Sequence, residues 1–514
     1  MTFAEKLDLL MNITNTSNSL LARKISIDAS FISRLRRGVR IPAKNVSYIQ
    51  AMSEYFAHCC QAEYQKAALW EAIKNSSPIQ PQPSLTTADL ILQWLRQPQE
   101  AAIHSIDNLL NGMIHHFQFS KIEAAATSAA VDGAYGQAAA EVEMFYGLEG
   151  RQTAALKFLS LVVQNKKPQT LLLYSDEDMN WMINPEFTAK WAALMVRVLQ
   201  NGNRIKMIHT INRNLDEMLD GIKRWVPLYM TGNIEPYYYS KTRDGLFRRT
   251  LFIAPETAAV TSSSVRSETL GVANLLFTKK EAIRALVAEF HDFLDLCRPL
   301  MRIFNSFNQQ NYLGTLIEFE EEAGHTIISS DGLTNITMPP EVVASILERL
   351  DDPDRRQLLA LQHHRIRNFY DRLPTNPHAE IFSLPRPETI LAGQVRVNFW
   401  DIPHQIQVFY TPEEYYQHLH NVIRLLKTYD NYHVYLTADK HLEGSMVCVK
   451  EDVGVLVGKT SPPSVIFAIR ESNMTAAFWD YMNILVRKES HGKKARERTI
   501  AELESFVARF ENSK

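Results

Sequence analysis

Cysteine is scarce: the 514 residues contain four, Cys59, Cys60, Cys297 and Cys448. One adjacent pair and no CxxC form neither a disulfide framework nor a zinc module, so a reducing, cytoplasmic compartment is the expected home. Long apolar runs are missing too. No uninterrupted stretch reaches the roughly 18 residues that a membrane helix needs. The opening MTFAEKLDLLMN carries Glu5 and Asp8 where a signal peptide has a basic start and an apolar run, and the chain is expected to be neither exported nor membrane-bound. A dominant charge is also absent, the formal net charge being -2. That balance hides an uneven distribution: residues 1–45 hold eight Lys and Arg against three acids, or +5, which leaves -7 for the remainder. A nucleic-acid partner is therefore expected of the N-terminal end alone.

Active-site signatures are equally sparse. GVLVGKTSPP (454–463) contains Gly-Lys-Thr, but three residues rather than four separate Gly454 from Gly458. The run alternates like a strand, and Ser-Pro-Pro follows where a phosphate loop needs a helix N-terminus. His115-His116 and His363-His364 are adjacent pairs whose side chains diverge by about 100° on a helix, which does not suit a shared metal. Neither Gly-x-Ser-x-Gly nor His-Glu-x-x-His occurs. No catalysis, cofactor or metal is expected.

What is present begins at LARKISIDASFISRLRRGVRIP (21–42). Leu20, Leu21 and Ile25 share a helical face, and Ala22 is small enough to let a second helix cross closely. Ser26 to Asp28 interrupt the pattern, and the Asp28 carboxylate suits the free N–H groups of a following helix. Ile32 and Leu35 then face inward, leaving Ser30, Phe31, Ser33, Arg34 and Arg37 outside. Gly38 is a natural helix stop and Pro42 prevents immediate continuation. The outer face has the polar groups that a helix brings to base edges in a major groove.

These residues resemble the phage-repressor-like helix-turn-helix family of bacterial and phage transcription regulators. The match runs from Asn18 to about Ala57 and includes KNVSYIQAMSEYFA, with the family's apolar spacing at Val46, Ile49, Met52 and Phe56. The resemblance implies that Asn18, Ala29, Ser30, Ser33 and Arg34 touch double-stranded DNA, with Asp28 and Phe31 in the same DNA-facing set. It implies that Arg37, Arg40 and Lys44 serve the phosphates. Readers of this kind usually meet two half-sites about one helical turn apart, so a homodimer is expected. Arg36 stands where the family often has a glutamate, and base preference does not carry over.

The fold expected is multi-domain: an all-α helix-turn-helix domain, a helical linker region, and an α/β effector region built from two related lobes. Residues 1–75 are the DNA-binding domain and the Pro/Ser-rich 76–87 a linker. Residues 88–165 form a helical brace, 166–305 the first lobe, 306–379 a connecting segment, 380–490 the second lobe and 491–514 a C-terminal helix. The lobes are read from an internal duplication. VRVLQNGNRIKMIHT (196–210) parallels IRLLKTYDNYHVYLT (423–437), LFIAPETAAV (251–260) parallels MVCVKEDVGV (446–455), and EFHDFLDL (289–296) parallels AFWDYMNI (477–484). Paired lobes of this kind would need His-x-Lys-x4-Asp in each for phospholipase-D-like chemistry, and neither repeat has it. A cleft between lobes suits a small-molecule or peptide effector. Trp225, Tyr229, Tyr237 and Tyr239 are the candidate contacts there, since aromatic side chains combine area with polar tips. The C-terminal stripe Ile500, Leu503, Phe506, Val507 and Phe510 must be buried on its own body or on a second copy. A ligand-sensing transcription regulator is the expected function. A DNA-tethered interaction scaffold and an enzyme fused to a DNA reader remain alternatives.

Overall fold

The computed structural model describes residues 3–14, 16–36, 47–60, 62–76, 86–96, 106–107, 109–110, 140–165, 167–177, 182, 184–209, 219, 222, 225–226, 228–229, 231–239, 247–265, 271–305, 309–349, 355–398, 408–438, 444–459, 465–489 and 495–511. At the N-terminal end the apolar spacing produces helices α1 (Phe3–Ile13), α2 (Asn18–Lys24), α3 (Ala29–Arg36), α4 (Ser47–Cys59), α5 (Glu63–Ser76) and α6 (Thr87–Arg96). Leu10, Leu21, Ile32, Leu35, Met52 and Phe56 meet in one buried cluster, which Ile91, Trp94 and Leu95 of α6 complete. Helix α6, which lies in the stretch expected to brace the reader, thus packs on the N-terminal bundle. Leu90, Ile91, Trp94 and Leu95 form an apolar stripe on a short helix, and such a stripe is stable only when buried. The buried Lys6 ammonium fastens α6 by donating to the Trp94 carbonyl at 2.6 Å.

The remainder contains two mixed sheets. The first comprises β1 (Val142–Tyr146), β2 (Thr170–Ser175), β3 (Arg204–His209), β4 (Ile234–Tyr239), β5 (Phe247–Ala254), β6 (Ala258–Val265), β7 (Ala273–Phe277) and β8 (Cys297–Pro299). Helix α7 (Gly147–Gln164) joins β1 to β2, α8 (Pro185–Gln200) joins β2 to β3, and α9 (Lys280–Leu294) follows β7. The strand order is β1-β7-β6-β5-β2-β3-β4-β8. Strands β2, β3 and β4 are parallel, and the other neighbours antiparallel. β1 lies inside the segment expected to be helical throughout. In VEMFY, Val142, Met144 and Tyr146 share the exposed face and Phe145 packs on the core from the other, and pairing with β7 decides the conformation.

The second sheet comprises β9 (Met301–Phe304), β10 (Thr326–Ser330), β11 (His378–Phe382), β12 (Tyr432–Leu436), β13 (Ser445–Lys450), β14 (Gly454–Lys459) and β15 (Val465–Ile469). Its order is β12-β11-β10-β13-β14-β15-β9. Its helices are α10 (Gln309–Glu321), α11 (Pro340–Glu348), α12 (Arg355–Arg372), α13 (Pro387–Leu391), α14 (Pro412–Thr428), α15 (Ser472–Glu489) and α16 (Ala495–Glu511). Strand β10 is central, although it falls in the stretch expected only to connect the lobes. Its TIISS core is too short to stand out before its partners are known.

Both sheets run through three parallel strands, then three antiparallel ones, then an antiparallel strand that precedes the trio in the chain. By this order β5 corresponds to β13 and α9 to α15, as two of the three sequence matches have it. The third match is one strand out of step: it lays β3 on β12, whereas the second parallel strand of the other sheet is β11. Any helix followed by a buried strand offers the same apolar spacing, and an ungapped match cannot tell one such unit from the next.

The sheets meet where β8 pairs with β4 and, after the fully buried Leu300, β9 pairs with β15. Leu171, Leu173 and Ile205 of the first sheet share one apolar cluster with Val447, Val457 and Phe467 of the second. The C-terminal stripe is used internally: Leu503 and Val507 are buried and Ile500 and Phe506 pack on the cluster containing Val422 and Leu426 of α14.

Candidate functional site

The two N-terminal helices expected to meet DNA are set by local chemistry. Ser17 caps α2, its hydroxyl accepting from the Leu20 N–H at 3.2 Å. Ser26 takes a left-handed conformation (φ 57°) in the turn, and Asp28 then accepts from the Ser30 N–H at 2.6 Å. Hydrogen bonds from the Ser30 hydroxyl and backbone hold the Asp28 carboxyl below its ordinary pKa. Ile32 and Leu35 are fully buried, while Asp28, Ser30 and Arg34 are exposed and Asn18, Ala29 and Ser33 half-buried. Arg34 lies along its own helix, with Nε 3.3 Å from the Ser30 carbonyl.

One expectation changes here. Phe31 does not face outward: its ring meets Tyr48 of α4 edge-on at 5.4 Å and packs against the bundle core. Arg36 adds no open charge, since Nε donates to Asp8 at 2.6 Å and Nη2 to Asn12 at 3.2 Å, tying α3 to α1. Arg37, Arg40 and Lys44 lie outside the described residues.

The four aromatic candidates do not converge on one site. Trp225 and Tyr229 stack at 6.3 Å, and Trp191 of α8 meets Trp225 edge-on at 5.0 Å. Tyr229 is fully buried and its hydroxyl bonds to His209 Nε2. Burial lowers the His209 pKa to about 4 and raises that of Tyr229 well above its ordinary value. Tyr237 and Tyr239, two apart on β4, occupy the opposite face. There Tyr239 packs on Phe293 of α9 at 5.4 Å, and the Tyr237 hydroxyl donates to Glu235 at 2.9 Å. Strand alternation sends Tyr238, rather than either of these, toward the Trp225 side.

A buried polar network sits at the carboxyl end of β2. Arg151 Nη2 contacts Glu177 Oε1 at 3.0 Å, with both side chains buried. The Ser264 hydroxyl donates to the same carboxylate oxygen at 2.7 Å, and Arg151 Nε donates to Asn274 at 3.3 Å. The network fixes α7, β6 and β7 to the end of β2.

A cavity enclosing about 80 Å³ opens in the second α/β unit between α10 and α12, over the ends of β10, β11 and β13. Its polar lining includes Arg365, Arg372, His378 and Lys450. Arg365 grips Glu320 with two nitrogens, at 2.9 and 2.6 Å, and Lys450 Nζ donates to the carbonyls of Phe319, Glu320 and Glu322. Sequence reasoning missed this group because its members are spread from 316 to 456. The one local signal was a lysine ending the apolar run SMVCVK, a strand buried along its whole length. His363 and His364, next to Arg365, are exposed. Gly454–Lys459, with the Gly-Lys pair of the rejected phosphate loop, is an interior strand.

No family matches the chain, and no curated protein does. Among solved structures it is similar to TrmBL2, an archaeal chromatin protein described as showing a novel mode of DNA binding. The identity is 12%, the match covers 49% of this chain and 94% of that one, and the TM-score is 0.23. It is also similar to polyphosphate kinase from Porphyromonas gingivalis, at 11% identity over 67% of this chain and 47% of that one, with a TM-score of 0.21. At these scores neither likeness assigns a function. The expectation of a chain without catalytic activity does not stand on the motifs alone. Motif absence is a weak test when a site is assembled from distant residues. No helix among the described residues is long and apolar enough to cross a membrane.

Proposed function

We propose that the chain is a DNA-binding transcription regulator. Its N-terminal helix pair reads duplex DNA, and its two α/β units, descended from one repeated unit, form a body that carries an effector site. The observation that carries the reading is the outer face of α3. Ser30 and Arg34 are exposed one turn apart, while Ile32 and Leu35 anchor the opposite face. A capped helix with a rigidly held back and a hydroxyl-guanidinium front is suited to a major groove. Arg37, Arg40 and Lys44 follow in the sequence and supply phosphate contacts. The shared strand order of the two sheets, with β5 on β13 and α9 on α15, supports the duplication. One small reader covers few base pairs, so two copies act on paired half-sites.

The test is discrimination. In a mobility-shift assay with a selected site and a scrambled one, Ser30→Ala with Arg34→Ala is expected to lose about 1 to 3 kcal/mol of preference per lost base contact. Unchanged preference would remove α3 as the reader.

A further inference from the structure

The cavity between α10 and α12 is more than a packing gap. His378, the first residue of β11, is 8% exposed, with Phe369 edge-on to its ring at 5.0 Å and Tyr432 stacked on it. Its Nε2 makes no hydrogen bond, and the neighbouring Glu380 carboxylate stands 3.6 Å away. A buried ring nitrogen without a hydrogen bond costs free energy that a hydrogen-bonding ligand would recover. Glu320 is taken by Arg365, and Glu322 is drawn to Arg470 at 3.2 Å. Lys450 Nζ donates to three carbonyls, and burial lowers its pKa. Arg372, half-buried, spends only Nε, on Asn368 at 2.8 Å, and its terminal nitrogens have no hydrogen-bond partner among the described residues. A guanidinium edge open beside a second cation matches a carboxylate. The walls also carry apolar side chains, Leu316, Phe319, Ile336 and Leu373 among them. The enclosed 80 Å³ is smaller than the roughly 150 Å³ of a cavity that holds benzene. Only a short chain fits inside.

We propose that this cavity binds a small organic acid. Its carboxylate meets Arg372, its short aliphatic body lies against Phe319 and Leu373, and a terminal polar group reaches His378 Nε2. The site stands independently of DNA binding; only its role as an effector site rests on the regulator reading.

The test uses the full chain with propionate, propionamide, 3-hydroxypropionate and inorganic phosphate, read by unfolding midpoint and by titration calorimetry. Propionate is expected to raise the midpoint where equal concentrations of propionamide and phosphate do not. 3-Hydroxypropionate is expected to bind more tightly than propionate, an advantage absent from His378→Phe. Arg372→Gln is expected to weaken propionate at least tenfold with the unliganded midpoint unchanged. If that variant does not fold, Arg372→Lys, which keeps the charge and loses the fork, is expected to weaken binding by less. No response to either acid, equal responses to acid and amide, a phosphate response matching the acids, or undiminished binding in both Arg372 variants overturns the site. Duplex-DNA affinity measured with and without acid separates the two claims. Acid binding with DNA affinity unchanged supports the site and refutes its effector role, whereas absent acid binding overturns the site and leaves the DNA reading to its own test.

Discussion

Lowering the pH from 7.5 to 5.0 is expected to destabilise this protein through two buried histidines, and His418 allows the effect to be isolated. Its ring lies inside α14 with no exposure, held by the Tyr410 hydroxyl on Nδ1 at 3.0 Å and the Thr337 hydroxyl on Nε2 at 3.0 Å. Burial lowers its pKa from 6.5 to about 3, and that of His209 to about 4. The unfolded chain takes up a proton near pH 6.5 that the folded chain refuses until far lower. Stability is therefore complete above pH 6.5 and is lost progressively as the pH falls toward 3 or 4. At pH 5.0 the gap from the unfolded value is about 1.5 pH units, or about 2 kcal/mol for each histidine. For a unit of this size that is roughly 4 to 8 °C in the unfolding midpoint. Calorimetry of the wild type and His418→Gln at both pH values is the assay. Glutamine can still exchange hydrogen bonds with Tyr410 and Thr337, so the variant is expected to show a pH-induced loss smaller by about 2 kcal/mol. Glu471, whose buried carboxyl is pushed upward, acts in the opposite direction but equally in both proteins. Identical pH dependence in the two would refute a neutral, buried His418.

Other expectations follow from single contacts. Arg151→Met leaves Glu177 charged and unpaired in a buried site and is expected to cost about 3 to 5 kcal/mol by denaturant unfolding, while Arg151→Met with Glu177→Leu recovers most of that loss. Ile32→Ala is expected to cost about 2 to 5 kcal/mol in the N-terminal bundle and to abolish DNA binding with it, followed by helical circular dichroism and anisotropy. Arg36→Ala breaks a pair only partly shielded from water and is expected to cost no more than about 1 kcal/mol.

The sequence was most legible where apolar period and capping residues agree locally. The turn at Ser26–Asp28, the inward Ile32 and Leu35, and the α/β character beyond residue 165 all follow from spacing. Boundaries failed where long-range pairing decides. Trp94 completes a core begun by Leu7, β1 becomes a strand through β7, and β10 is central only because β11 and β13 flank it. Phe31 reads as outward from its helical position alone, and the edge contact with Tyr48 that turns it inward depends on a helix beginning 16 residues later. The aromatic candidates misled because Tyr237 and Tyr239, two apart on β4, share the face opposite Trp225 and Tyr229, so the four cannot line one site. The cavity was invisible for a related reason: His378, Arg365, Arg372 and Lys450 belong to three elements, and none stands in a recognisable motif.

The central claim is that the N-terminal end binds duplex DNA through its basic residues, and the salt dependence of that binding tests it most directly. Fluorescence anisotropy on a labelled duplex, from about 50 to 200 mM salt, compares the wild type with a variant carrying alanine at Arg34, Arg37, Arg40 and Lys44. The account predicts weaker binding by the variant at every salt concentration, with the slope of log affinity against log salt reduced by about 0.9 for each phosphate contact removed. Equal affinity and equal slope for the two proteins would contradict it.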